Sequence, residues 1–86
     1  MELKDTIKMM QSEDYKERFR AEYLQTKLRY EKLEVMTTKY AEGTLNFKPS
    51  CSLELLNQQK FYMKMYLRCL EERAAIEKID LSTEDE

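Results

Sequence analysis

The chemistry open to this sequence rests on cations, tyrosines and carboxylates. Lys60, Lys64 and Arg68 recur at i, i+4 and i+8, which lays three positive charges along one edge of a helix. Upstream, Lys27 shares a helical arc with Arg20, and Arg29 shares another with Arg18 and Lys32. Arginine grips phosphate through two parallel N–H donors, and lysine neutralises it as a point charge. Tyr23 or Tyr62 could stack on a base beside such phosphates. Lys60, Lys64, Arg68, Lys27, Arg29, Tyr23 and Tyr62 therefore form the candidate ligand-binding set. The plainer account is a solvated face, because glutamates flank most of these cations and mixed charge is ordinary on exposed helices.

Catalytic constellations are missing. The chain has no histidine, so neither a Ser-His triad nor a usual zinc site can be assembled. A single glycine excludes a glycine-rich phosphate loop. The carboxylate pairs Glu13-Asp14 and Glu71-Glu72 sit beside basic residues on solvent-facing arcs, where ion pairs contribute little. The expectation is a binding protein with no catalytic residue, no metal and no cofactor. Fifteen basic against seventeen acidic residues give a net charge of −2, which disfavours a nucleic-acid partner. Cys51 and Cys69 lack CxxC spacing, and on one helix they would stand roughly 27 Å apart, beyond disulfide reach. Both are expected to be reduced, as in a cytoplasmic protein. The opening Met1–Asp5 alternates charge where a signal peptide needs an apolar run. No apolar stretch approaches the ~20 residues of a membrane span, so no membrane partner is expected.

The elements that must position these groups are helices. Of 86 residues 37% are charged and 42% hydrophobic, with one Gly and one Pro, a profile of long helices. Leu3, Ile7 and Met10 predict a short helix over 2–10. Ser12 reads as an N-cap for a helix over 13–42, with Gly43 in position to end it. Pro49 keeps Lys48 out of helical geometry, and Ser50 or Ser52 can cap a last helix over 52–79. The predicted fold is all-α: a short N-terminal helix followed by a long antiparallel helical hairpin. It forms one domain over 1–81, with an acidic flexible tail at 82–86.

Each long helix carries two apolar stripes. On the first, Tyr15, Phe19, Tyr23, Thr26, Tyr30, Leu33, Thr37 and Tyr40 share one side, while Ala21, Leu24, Leu28 and Val35 lie nearly opposite. On the second, Leu56, Met63, Tyr66, Leu67, Leu70 and Ala74 share a face, and Phe61, Met65, Cys69, Ile76 and Ile79 lie on the other side. A two-helix hairpin buries one stripe per helix. Ala21, Leu24, Leu28, Val35, Phe61, Met65 and Ile76 are therefore the expected partner or oligomer face. Self-association as a dimer or larger ring would cover it; the N-terminal helix could cover part.

The runs Asp14-Tyr-Lys-Glu-Arg-Phe-Arg-Ala-Glu-Tyr-Leu-Gln-Thr-Lys-Leu-Arg-Tyr-Glu-Lys-Leu33 and Leu53-Glu-Leu-Leu-Asn-Gln-Gln-Lys-Phe-Tyr-Met-Lys-Met-Tyr-Leu-Arg-Cys-Leu-Glu-Glu-Arg73 resemble small helical proteins of Gram-positive phages and prophages. The likeness covers nearly the whole chain and implies a bacterial cytoplasm during infection. In layout the chain resembles the phage anti-CBASS sponges, short-helix-plus-hairpin oligomers that sequester cyclic oligonucleotide signals. Helix order, size and a Tyr/Lys/Arg-bearing hairpin carry that likeness. No binding motif matches residue by residue, and the glutamate-rich first long helix departs from a simple nucleotide pocket. The resemblance implies counter-defence in one of two forms. The protein blocks a host defence protein through an apolar helical face, or it is an oligomeric sponge holding a cyclic (oligo)nucleotide at subunit junctions. A phage DNA-binding regulator and a structural adaptor are the weaker readings.

Overall fold

The computed structural model describes residues 1–82. A 3-10 turn, Leu3–Thr6, runs into helix α1, Ile7–Met10; α2 spans Tyr15–Glu42 and α3 spans Leu53–Glu77. The architecture is all-α, and no strand occurs among the described residues. Side-chain bonds from Tyr15 to Glu77, Tyr23 to Glu71 and Lys60 to Thr37 join rising positions on α2 to falling positions on α3. The pair is therefore antiparallel.

Local chemistry sets the helix ends. Asp14, and not Ser12, is the N-cap of α2: its carboxylate accepts from the Lys16 N–H at 3.0 Å. Ser12 acts one step earlier, accepting from the Asp14 N–H at 3.0 Å. At the far end Gly43 adopts φ 76°, and the Thr44 N–H reaches the Lys39 carbonyl at 2.9 Å. That is a Schellman closure, which favours glycine because no Cβ opposes the left-handed conformation. Ser52 caps α3 through the Leu55 N–H at 3.1 Å. Helix α3 stops at Glu77, two residues before the expected end. Lys78 takes φ 60°, and the Ile79 N–H returns to the Ala74 carbonyl at 2.9 Å. The turn swings Ile79 off the outer face, where helical spacing had placed it, and buries it in the core.

The core joins Phe19, Tyr23 and Leu24 of α2 to Leu67, Leu70 and Ala74 of α3, with Ile79 behind them. Met9, Tyr30 and Leu81 pack on its margin. Ala21 and Leu24 are 0% and 4% exposed. The first half of α2 is wrapped on several sides, by α3, by residues 3–10 and by residues 79–82. Thr6 is fully buried and accepts from the Gln25 amide at 3.1 Å. Arg20 donates to the Ser82 carbonyl at 2.9 Å. Ser82, expected in a flexible tail, is thus anchored; the rest of that tail, 83–86, lies outside the described residues. Among the described residues nothing comparable covers the second half of α2, where Val35 is 56% exposed. The fold is correspondingly long: its radius of gyration is 15.0 Å, against about 12 Å for a compact chain of this size.

At the open end of the hairpin, Tyr15 donates to Glu77 at 2.8 Å and accepts from Arg73 at 2.8 Å, while Arg73 reaches Glu77 at 3.2 Å. The Arg73 guanidinium also sits 4.9 Å from the centroid of the Phe19 ring, within cation–π range. This clamp is exposed, so it fixes helix register more than it adds stability.

Candidate functional site

The antiparallel register places residues 23–34 of α2 against residues 64–71 of α3. A groove of about 280 Å³ opens between them, lined by Tyr23, Lys27, Tyr30, Glu31 and Glu34 on one wall and Lys64, Leu67, Arg68 and Glu71 on the other. Its floor is apolar because Tyr23 and Leu67 belong to the core. Its rim is charged because the long Lys, Arg and Glu side chains there extend past the core into water.

Three of the candidate cations, Lys27, Lys64 and Arg68, meet in this groove. Among the described residues neither Lys64 nor Arg68 forms an ion pair or hydrogen bond with another side chain. Both are exposed, so their charges remain available to a ligand. Lys27 lies with its ammonium 6.0 Å from the Tyr23 ring centroid, at the outer limit of a cation–π contact. The carboxylates are more engaged. Glu71 accepts from the Tyr23 hydroxyl at 2.8 Å, and Glu34 accepts from the Tyr30 hydroxyl at 3.1 Å. Burial, and then the bond to Glu34, push the Tyr30 hydroxyl above the usual phenol pKa. Tyr30 therefore stays a neutral donor at physiological pH.

Of the remaining candidates, Tyr23 alone lines the groove, as part of its floor. Tyr23 is only 7% exposed, so its ring floors the groove and presents no free face for stacking. Lys60 is drawn inward to donate to Thr37 at 3.2 Å. Arg29 is exposed but does not line the groove. Tyr62 lines a separate hollow on α3, in edge contact with Phe61 at 5.7 Å between centroids. Of the expected partner face, Ala21 and Leu24 are taken up inside the protomer by the N-terminal segment and by residues 79–82. Leu28 and Val35 line a shallow depression with Glu31 and Lys32. Phe61 and Ile76 are 55% and 81% exposed, and Met65 is half-buried.

Tyr30, Glu31, Glu34 and Glu71 belong to the groove although helical spacing alone did not select them. The missing signal is pairwise. Once Tyr23 is set opposite Glu71, an antiparallel register puts Lys27 near Leu67 and Arg68, and Tyr30 near Lys64.

Among the described residues no group of three or more His, Cys, Asp or Glu side chains is placed to hold a metal ion. No described helix is long and apolar enough to cross a membrane. Cys51 and Cys69 are both free and exposed.

No curated protein and no solved structure matches the chain. A family model does: Sequestin, over residues 13–76, which takes in all of α2, the connecting loop and nearly all of α3. The matched region contains every residue of the groove, and the family's name denotes sequestration, a binding role in place of a catalytic one. On the extent of that match, the chain belongs to the Sequestin family.

Proposed function

We propose that this protein sequesters a small phosphorylated nucleotide, of the cyclic (oligo)nucleotide class used as immune signals, and thereby acts in counter-defence. The observation that carries the reading is the convergence of Lys27, Lys64 and Arg68 on one concave groove, with Lys64 and Arg68 making no side-chain ion pair or hydrogen bond among the described residues. Phosphates would lie against Lys64 and Arg68, where charge-assisted hydrogen bonds are the strong kind. The accessible ring is Tyr30, half-buried at the rim, and not Tyr23. Glu31 and Glu34 on the same wall repel phosphate. They favour a ligand that also offers donors, as sugar hydroxyls and exocyclic amines do. Holding a ligand needs only these contacts.

Titration calorimetry against cyclic mono-, di- and trinucleotides tests the proposal. Lys64→Glu and Arg68→Glu should each weaken binding by roughly tenfold to a hundredfold, the worth of one charge-assisted bond, with helical circular dichroism unchanged. Unaltered affinity in both variants would remove the groove from the account.

The second reading is that the protein blocks a host defence protein, and the bare Leu28–Val35 depression favours it. Burial of Ala21 and Leu24 leaves that surface smaller than the stripe in the sequence. Under this reading Val35→Arg abolishes inhibition while Arg68→Glu leaves it intact.

A further inference from the structure

The groove, at about 280 Å³, falls just below the ~300 Å³ at which pockets begin to enclose a small molecule. It has a neighbour. Leu28, Glu31, Lys32 and Val35 line a second hollow of about 350 Å³ on α2, and Glu31 lines both. The helix repeat explains the sharing. At ~100° per residue, Lys27 and Glu34 lie on the groove side of Glu31, whereas Leu28 and Val35 lie on its other side. Lys32 closes the far margin. The hollow is thus an apolar strip two turns long, set between one carboxylate and one ammonium. Glu31 is exposed, and among the described residues it makes no ion pair or hydrogen bond. Lys27, four residues upstream, is spaced to pair with it but lies against the Tyr23 ring instead.

We infer that this hollow seats the base of a nucleotide whose phosphates lie in the groove, and that Glu31 selects a purine carrying an exocyclic amine. The inference rests on the groove being the phosphate site. The charges of Glu31 and Lys32 cancel, so the hollow offers phosphate no net attraction, while Leu28 and Val35 offer the flat face of a ring an apolar contact. Leu28 and Val35 stand ~10 Å apart along the axis, room for one bicyclic ring. A strip that short is far smaller than the roughly 800 Å² per partner of a stable protein interface. An ionised carboxylate only accepts hydrogen bonds. An amine edge gives Glu31 N–H donors, and bonds to a charged acceptor are the stronger class. A base with a carbonyl at that edge sets oxygen against oxygen. Lys32, on the opposite margin, only donates, which suits the ring nitrogens of a purine.

Calorimetry of the full chain with cyclic dinucleotides of adenine, guanine, hypoxanthine and uracil tests the assignment. Adenine and guanine carry an exocyclic amine; hypoxanthine and uracil do not. One of the amine-bearing pair should bind roughly tenfold more tightly than either of the others. Glu31→Gln should weaken that ligand by about tenfold. The same change removes a charge that repels phosphate, so the hypoxanthine and uracil ligands should bind as well as before or more tightly. A carboxylate that only shaped the local field would shift all four in one direction. Val35→Ala alters no charge and should weaken the amine-bearing ligand several-fold, with helical circular dichroism unchanged in both variants. Suppose binding is lost in Arg68→Glu but the preference for the amine survives Glu31→Gln. That result overturns the base subsite and leaves the groove standing. Affinity indifferent to both Glu31→Gln and Val35→Ala does the same. If none of the four nucleotides binds the wild-type chain, the groove reading fails and takes the subsite with it.

Discussion

Leu24 and Val35 lie on the same stripe of α2, yet the fold assigns them opposite fates, and paired alanine substitutions measure the difference. Leu24 is 4% exposed within the core, enclosed by the segments that wrap the first half of α2. Removing three carbons at ~0.8 kcal/mol each gives about 2.4 kcal/mol of lost transfer energy. Incomplete collapse of the cavity raises the cost of Leu24→Ala to about 2.5–4 kcal/mol. Val35 is 56% exposed, so its two methyls lose little burial. Alanine also has the higher helix propensity, by a few tenths of a kcal/mol. Val35→Ala should therefore lie within about 0.5 kcal/mol of wild type. Thermal denaturation followed by circular dichroism resolves the two. At about 4–8 °C per kcal/mol for a domain of this size, Leu24→Ala should lower Tm by ten degrees or more and Val35→Ala should leave it nearly unchanged. Low protein concentration keeps self-association out of the comparison. Equal costs at the two positions would refute the covering of α2 by residues 3–10 and 79–82.

Two left-handed residues supply a matched pair of predictions. Gly43→Ala meets no atom within 4 Å but must hold φ 76°, which should cost about 1 kcal/mol. Lys78→Gly relieves φ 60° and should stabilise by up to about 1 kcal/mol; urea midpoints moving the other way would contradict both. Glu77 gives a pH signature. The bond from Tyr15, with that from Arg73, holds its carboxyl below the ordinary 4.5. The folded state therefore binds the proton less readily than the unfolded chain. Stability from this clamp is present above that ordinary value and is lost as pH falls through the lowered one. Glu77→Gln should flatten that part of the acid limb, and an unchanged limb would remove the clamp from the acid response.

The hairpin was legible in the sequence because its signals are local. Gly43, Pro49 and Ser52 mark its turn, and Leu56, Leu67, Leu70 and Ala74 recur at helical spacing. What spacing could not convey is how segments outside the hairpin fold back on it. Ala21 and Leu24 look like an open face until residues 3–10 and 79–82 are laid over them, and Ile79 looks outward until Lys78 breaks the helix. The groove was half legible for a related reason. Lys64 and Arg68 stand out as a row on one helix, whereas Tyr30, Glu34 and Glu71 join them only through the register between two helices. Tyr23 stood in the sequence both on the core stripe and in the candidate ligand set, because a tyrosine serves equally as core and as rim; its burial places it in the core and on the groove floor.

Fate of ligand in solution tests the central claim most directly. The protein is incubated with cyclic di- and trinucleotides, the free pool is separated by filtration, and the retained fraction is heated to unfold the protein. Sequestration predicts depletion of one nucleotide from the free pool, its recovery intact and in stoichiometric amount after heating, and markedly less depletion with Arg68→Glu. Nucleotides that all stay free, or one that returns as a cleaved product, would contradict it.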